Sequence, residues 1–278
     1  MPNRSIRIAH FTDIHVQPER GGEEGMAAAL HHVNSLEDRP DLLLTGGDQI
    51  MNAFGETLDR VERLWALFDR VLRSENSLPV EHCLGNHDVL GFGRSDVDDP
   101  TGKKRACELL GLAHPFQSFD RAGWHFVVLD STHPHPAGYK ARLDEAQFAW
   151  LVEDLARTAP TTPIVILSHI PILSACAFLD GPNEESGDWV VPGAWMHLDA
   201  RRLKDLFLKH GNVRLALSGH IHLVDRVDYL GVSYLCHGAV CGNWWQGAFQ
   251  ECAPGYAVVD LFDDGSFSSE YVAWGDPS

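Results

Sequence analysis

Hydrophobic residues gather in short runs. IRIAHF (6–11), DLLLT (41–45), VEHCL (80–84), WHFVVLD (124–130), PIVILS (163–168) and VRLALS (213–218) are each too short for a helix and are bounded by Gly, Pro or polar residues. They predict buried strands. Between them, apolar residues recur at helical spacing over roughly 23–36, 56–72, 144–155 and 199–210, so strand and helix alternate and the fold reads as α/β. After His222 the pattern changes. RVDYLGVSYLCHGAV (226–240) and GYAVVDLFDDGSFSSEYVAW (255–274) alternate with period two around LG and DDG turn signals, which predicts antiparallel β-structure for the C-terminal third. Two long stretches, 89–104 and 174–197, resist regular structure and are candidate substrate walls. No repeat, low-complexity tract or linker interrupts the chain, so residues 1–278 are expected to form one domain.

Composition narrows the class. At 278 residues and 44% hydrophobic, the chain can fill a substantial core, which excludes disorder and a coiled coil. Twenty-two Lys and Arg against thirty-nine Asp and Glu leave a net charge of −17, which argues against nucleic acid or an anionic membrane as partner. Six Cys without a C-x-x-C pair, several beside apolar runs, suit a reduced cytoplasmic protein. Neither a secretory leader nor an apolar run of membrane-spanning length is visible.

Chemistry enters where polar residues meet the strand ends. Asp13 and His15 follow the first run, Asp48 the second, and Asn86, His87 and Asp88 the third; His169 follows the fifth, and His220 and His222 the sixth. Open α/β sheets build their sites at the carboxyl ends of strands, so residues scattered from 13 to 222 can converge in one cleft. Singly each signal is weak: His169 fits a satisfied core histidine, Asn86 a helix cap, Gly85 and Gly219 plain turns. Jointly they point to metal. Asp, His and Asn donors suit Mn²⁺ or Fe²⁺, with Zn²⁺ an alternative, and seven are too many for one ion that keeps an open position. Two divalent ions about 3.5–4 Å apart, bridged by a carboxylate, clamp both oxygens of a phosphoryl displacement.

The motifs D-x-H, G-G-D, G-N-H-D, a lone strand-terminal His and G-H-x-H, in this order, resemble the calcineurin-like metallophosphoesterase superfamily. That resemblance implies a four-layer αββα sandwich of two mixed β-sheets flanked by helices. It implies that Asp13, His15 and His222 hold one ion, that Asn86, His169 and His220 hold the other, and that Asp48 bridges them. His87 would stand over the substrate and protonate the leaving oxygen, Asp88 would orient His87, and a metal-bridging hydroxide would attack phosphorus in line.

Departures sharpen the expectation. Met51 stands where purple acid phosphatases carry Tyr, and GGDQIMNAFG lacks the phosphate-gripping Arg of protein Ser/Thr phosphatases. LDSTHPHPAGYKARLDEAQFAWLVEDL (129–155) resembles bacterial class III cyclic-nucleotide phosphodiesterases, although an ordinary amphipathic helix would read alike. In HGAVCGNWWQG (237–247), adjacent Trp244 and Trp245 cannot share one face of a strand. One is expected either to line the pocket, where an indole suits a nucleobase, or to close a sheet edge. His237, His133 and His135 are candidates for the rim, and Arg94, Lys103, Lys104 and Arg142 are nearby cations. Hydrolysis of a small phosphodiester such as a cyclic nucleotide is the expected activity, with a broad phosphomonoesterase as the alternative and a non-catalytic metal-binding scaffold behind both.

Overall fold

The computed structural model describes residues 2–91 and 100–275. In chain order its elements are β1 (Arg4–Phe11), α1 (Gly22–Asn34), β2 (Leu42–Thr45), α2 (Leu58–Glu75), β3 (Val80–His82), α3 (Pro100–Leu110), β4 (Gln117–Arg121) and β5 (Trp124–Leu129). There follow β6 (Thr132–His135), β7 (Gly138–Ala141), α4 (Glu145–Arg157), β8 (Ile164–Ser168), α5 (Ala200–Lys209) and β9 (Val213–Ser218). The chain closes with β10 (Asp225–Tyr229), β11 (Val232–Cys236), β12 (Gly255–Phe262) and β13 (Phe267–Ala273).

Strands that are apolar on both faces need cover on both sides. In β1, Ile6 and Ile8 face a second sheet while Ala9 and Phe11 face helices, the period-two division that a pleated strand enforces. One sheet has the order β13-β12-β1-β2-β3, the other β10-β11-β9-β8-β5-β4. Between them Ile8, Leu44 and Val259 meet Phe126, Leu167 and Leu217. Helices α1 and α2 cover the outer face of the first sheet through Met26, Leu30, Leu64 and Phe68. Leu151 and Leu155 of α4, with Leu203 and Phe207 of α5, cover the second. The order of layers is therefore αββα, with mixed sheets, as the resemblance implies.

The four predicted helices form within a few residues of their expected limits, and two have side-chain caps. Thr57 accepts the Arg60 N–H at 3.3 Å ahead of α2, and Asp144 accepts the Gln147 N–H at 2.7 Å ahead of α4, each satisfying a donor that has no partner inside the helix. The C-terminal hairpins are antiparallel as predicted but enter different sheets: β11 lies parallel to β9, whereas β12 lies antiparallel to β1. Of the stretch expected to be irregular over 89–104, residues 92–99 lie outside the described residues, and from Pro100 the chain is helical in α3, which buries Ala106 and Cys107. Arg94, one of the expected nearby cations, falls outside the described residues. In 174–197 a short 3₁₀ turn, Cys176–Phe178, interrupts otherwise irregular chain. There Asn183 Nδ2 donates to the carbonyls of Ala177, Phe178 and Asp180. No helix among the described residues is long and apolar enough to cross a membrane.

Candidate metal centre

Strands β1, β2 and β3 run parallel, as do β5, β8 and β9, so their carboxyl ends share one edge of the sandwich. The loops leaving β1, β2 and β3 carry Asp13, His15, Asp48 and Asn86, and those leaving β8 and β9 carry His169, His220 and His222. The cleft thus straddles the top of the inter-sheet layer.

The loops bend sharply to reach it. Asp13, His15, Asp48, His220 and His222 have φ of 55°, 47°, 55°, 71° and 61°, in the left-handed region where a non-Gly residue is strained by about 1–3 kcal/mol. Gly85 and Gly219 serve a different need from the turns expected of them. A Cβ on Gly85 would strike Asp48, and one on Gly219 would strike Thr12 and Asp13. Both glycines therefore let one loop lie against the carboxylate of another.

Backbone carbonyls fix the imidazoles. Because a carbonyl only accepts, each ring donates from Nδ1: His15 and His87 to Met51 O at 3.3 and 2.8 Å, His169 to Gly46 O at 2.9 Å, and His222 to Gly242 O at 2.7 Å. Every one of these rings then presents Nε2 to the cleft, the arrangement found around metal-ligating histidines.

Some of the atoms that meet there lack a hydrogen-bond partner. His169 Nε2 lies 3.1 Å from Asn86 Oδ1 and 3.2 Å from Asp48 Oδ2, which also lies 3.6 Å from His15 Nε2. Asp13 Oδ1 lies 3.4 Å from His222 Nε2 and 3.8 Å from His15 Nε2. Asp13 Oδ1 and His15 Nε2 are buried without a hydrogen-bond partner. Those two atoms lie 3.8 Å apart, and a cation between them would meet both lone pairs. Burial opposes charge on His169, yet Asp48 overrides it and holds the ring up at about 9; burial lowers His15 and His220 to about 3, which keeps them neutral. The residues present fit a cation beside the two unpartnered atoms, and Asp48 Oδ2 faces His15 and His169 through one oxygen. The donor atoms of Asp48, His169 and His220 lie within 4.8 Å of one another, as do those of His15, Asp48 and His87.

Several residues stand elsewhere than expected. Asp88 does not touch the His87 ring, which is held by Met51 O; its carboxylate instead accepts the N–H groups of Gly85 at 2.8 Å, Gln49 at 2.9 Å, Asp48 at 3.0 Å and Ile50 at 3.4 Å. It clasps two site loops together. Burial and the Asp48 charge push the Asp88 carboxyl up to about 8, against those four donors. His237 is also displaced from the rim, because it lies buried between the sheets with its Nδ1 2.8 Å from that of His10. The two tryptophans divide: Trp244 is half-buried over His222, ring centroids 4.7 Å apart, whereas Trp245 packs on α1 at Gly25 and donates from Nε1 to His15 O at 2.8 Å. Trp245 therefore supports a donor loop from behind. His133 lines a separate cavity of about 590 Å³ with Lys103, Lys104 and Arg142, and His135 is exposed. The rings of Tyr139, on β7, and His220 meet edge to face at 6.2 Å, and burial together with the Asp48 and Asp13 charges raises the Tyr139 phenol. The strand GYKA gives no apolar alternation to flag it. Cys176 and Ala177 of the 174–197 segment pack with Ile221 and Leu223, which flank His222, and Asp180 is lifted by burial and drawn back by the His222 charge.

Comparison with known proteins fits this geometry. The sequence matches the calcineurin-like phosphoesterase family over residues 6–224. It is 25% identical to a 3′,5′-cyclic-nucleotide phosphodiesterase of Nostoc, covering 95% of this chain and 91% of that one. It is 23% identical to a 3′,5′-cyclic adenosine monophosphate phosphodiesterase of Escherichia coli, covering 95% and 88%. In fold it superposes on a dimetal phosphatase of Danio rerio with a TM-score of 0.70 at 15% identity, over 98% of both chains. With most of its length matched and its fold shared, the chain belongs to the calcineurin-like phosphoesterase family, whose members hydrolyse phosphoesters.

Proposed function

We propose that the chain is a binuclear metal-dependent phosphodiesterase whose substrate is a small phosphodiester, a cyclic nucleotide first among them. The observation that carries this reading is Asp48 Oδ2 set between His15 Nε2 and His169 Nε2, at 3.6 and 3.2 Å, beside two buried atoms, Asp13 Oδ1 and His15 Nε2, that have no hydrogen-bond partner. Asp13, His15 and His222 would hold one ion, Asn86, His169 and His220 the other, and Asp48 both. Mn²⁺ and Fe²⁺ suit the oxygen and nitrogen donors, as does Zn²⁺. Such a pair of ions supplies Lewis acidity to a phosphoryl group and acidifies water.

The chain's own residues do the rest. His87 keeps its Nδ1–H on Met51 O and turns Nε2 toward the cleft, where as the imidazolium it hands a proton to the departing ester oxygen. Asn86 brings an amide beside the phosphoryl oxygens. Trp244 offers a half-exposed indole on which a nucleobase can stack. The 174–197 segment walls the His222 side. A cytoplasmic setting suits six cysteines that are all free thiols.

The test is a hydrolysis panel with Mn²⁺-loaded protein over cyclic nucleotides, nucleoside monophosphates, sugar phosphates, bis(p-nitrophenyl) phosphate and p-nitrophenyl phosphate. Diesters are expected to be turned over faster than their monoester counterparts, with a cyclic nucleotide ahead of the other natural compounds. A large preference for monoesters overturns the diester reading in favour of a broad phosphatase.

A further inference from the structure

Cys241 is held at the edge of the first ion's donors by the backbone on both sides of it. Val240 N–H donates to Thr12 O at 3.0 Å and Cys241 N–H to Asp13 O at 3.2 Å. Trp245 N–H donates to Cys241 O at 2.9 Å, and Gly242 O receives His222 Nδ1–H at 2.7 Å. The loop is thereby stitched to Asp13 and His222 alike. The Cys241 Sγ is buried and lies within 4.8 Å of the donor atoms of His15 and His222. Its hydrogen-bond acceptor, Gly242 O, stands 3.6 Å away, and a thiol donates weakly.

Other cysteines have an evident packing role. Cys83 lies in the inter-sheet layer, Cys107 in the helical layer over the first sheet, and Cys176 and Cys236 in a small cluster with Ile221 and Leu223. Cys241 belongs to none of these clusters. It groups with His15 and His222; His15 Nε2 is buried without a partner, and so is Asp13 Oδ1, 3.4 Å from His222 Nε2.

We propose that Cys241 donates its sulfur to the ion held by Asp13, His15 and His222, which makes the two metal sites chemically unlike. The inference rests on the binuclear reading above. One site then combines sulfur with nitrogen and oxygen, while the other, built from Asp48, Asn86, His169 and His220, has nitrogen and oxygen alone. Thiolate favours Zn²⁺ over Mn²⁺, so in competition the sulfur-bearing site takes zinc and leaves manganese to its neighbour.

Cobalt substitution reads this directly. Protein loaded with Co²⁺ is expected to hold two ions per chain and to show a near-ultraviolet sulfur-to-cobalt charge-transfer band. Cys241→Ser should lose the band, Cys236→Ser should keep it, and Cys241→Ser should bind Zn²⁺ at least about tenfold more weakly. X-ray absorption on the zinc-loaded wild-type protein, which needs no variant, should show a sulfur neighbour at about 2.3 Å. Two bound ions without a band, without that neighbour, or with a band that survives Cys241→Ser overturn the sulfur donor alone. Failure to retain any ion overturns the binuclear reading with it.

Discussion

Two clusters of histidine and carboxylate sit at opposite ends of the strands, and they are built on opposite principles. At the amino ends, His125 Nδ1 lies 2.7 Å from Asp120 Oδ1 and Nε2 lies 2.8 Å from Asp154 Oδ2, while Ser118 Oγ–H donates to Asp154 Oδ1 at 2.8 Å. Every donor there has an acceptor, and none of the four residues has left-handed backbone. At the carboxyl ends the same residue types leave Asp13 Oδ1 and His15 Nε2 buried without a partner, and five of them are strained. Residue type does not separate a structural clip from a metal site. Whether the donors and acceptors balance does, and so does backbone strain.

The contrast can be broken from either side. The largest effect is expected from Asp48→Asn, which removes the charge shared by both groups: turnover should fall by at least about 10³-fold, and elemental analysis should find fewer than two ions per chain. Full metal content with full turnover would mean that the carboxyl-end cluster is no metal site. His87→Ala should lower turnover by about 10²–10⁴-fold and leave both ions in place, with the smallest loss on substrates whose leaving group needs no proton. An undiminished rate removes its role as acid. The smallest effect belongs to the balanced cluster and is one of stability. The hydrogen bond to Asp154 raises His125 despite burial, so its contribution is complete below about 6.5 and fades as pH rises through the raised value. Asp154 is buried but held low by His125, so its share is lost only as pH falls toward its own depressed value. His125→Gln should therefore cost about 2 kcal/mol near pH 5.5 and less at pH 9, measured by denaturant unfolding. An equal loss at both values would show that the pairing carries no charge.

Much of this was legible in the sequence because strand ends are local features. An apolar run announces a strand, and the polar residues just beyond it must lie at its exit; the order of five such exits sufficed to gather Asp13, Asp48, Asn86, His169 and His220. The helices were legible where their apolar faces were long, as in α2. What escaped depends on contacts distant in sequence or on elements too short to show a period. α3 buries only a brief face, β4 is five residues long, and β6 and β7 carry little apolar pattern. Tyr139 was hidden with them. Cys241 reads as one small hydrophobe among several until the Thr12 and Asp13 carbonyls fix its loop. Asp88 follows His87 directly, which invited a pairing, yet the chain turns its carboxylate back onto four amides. His237 and Trp245 show the same limit, since adjacency cannot tell which way a side chain points at a turn.

Half of the proposed ion-holding set rides on one sheet and half on the other, so the filling between the sheets works as a spacer. Ile8, Leu44, Phe126, Leu167 and Leu217 set how far apart those halves stand, although none reaches the cleft. Close-packed interiors transmit small volume changes. Trimming a single methyl group deep in that filling would let the two halves slide and detune the gap in which a phosphate is gripped. The accuracy of the grip is thus set by ordinary apolar residues, out of sight of the chemistry.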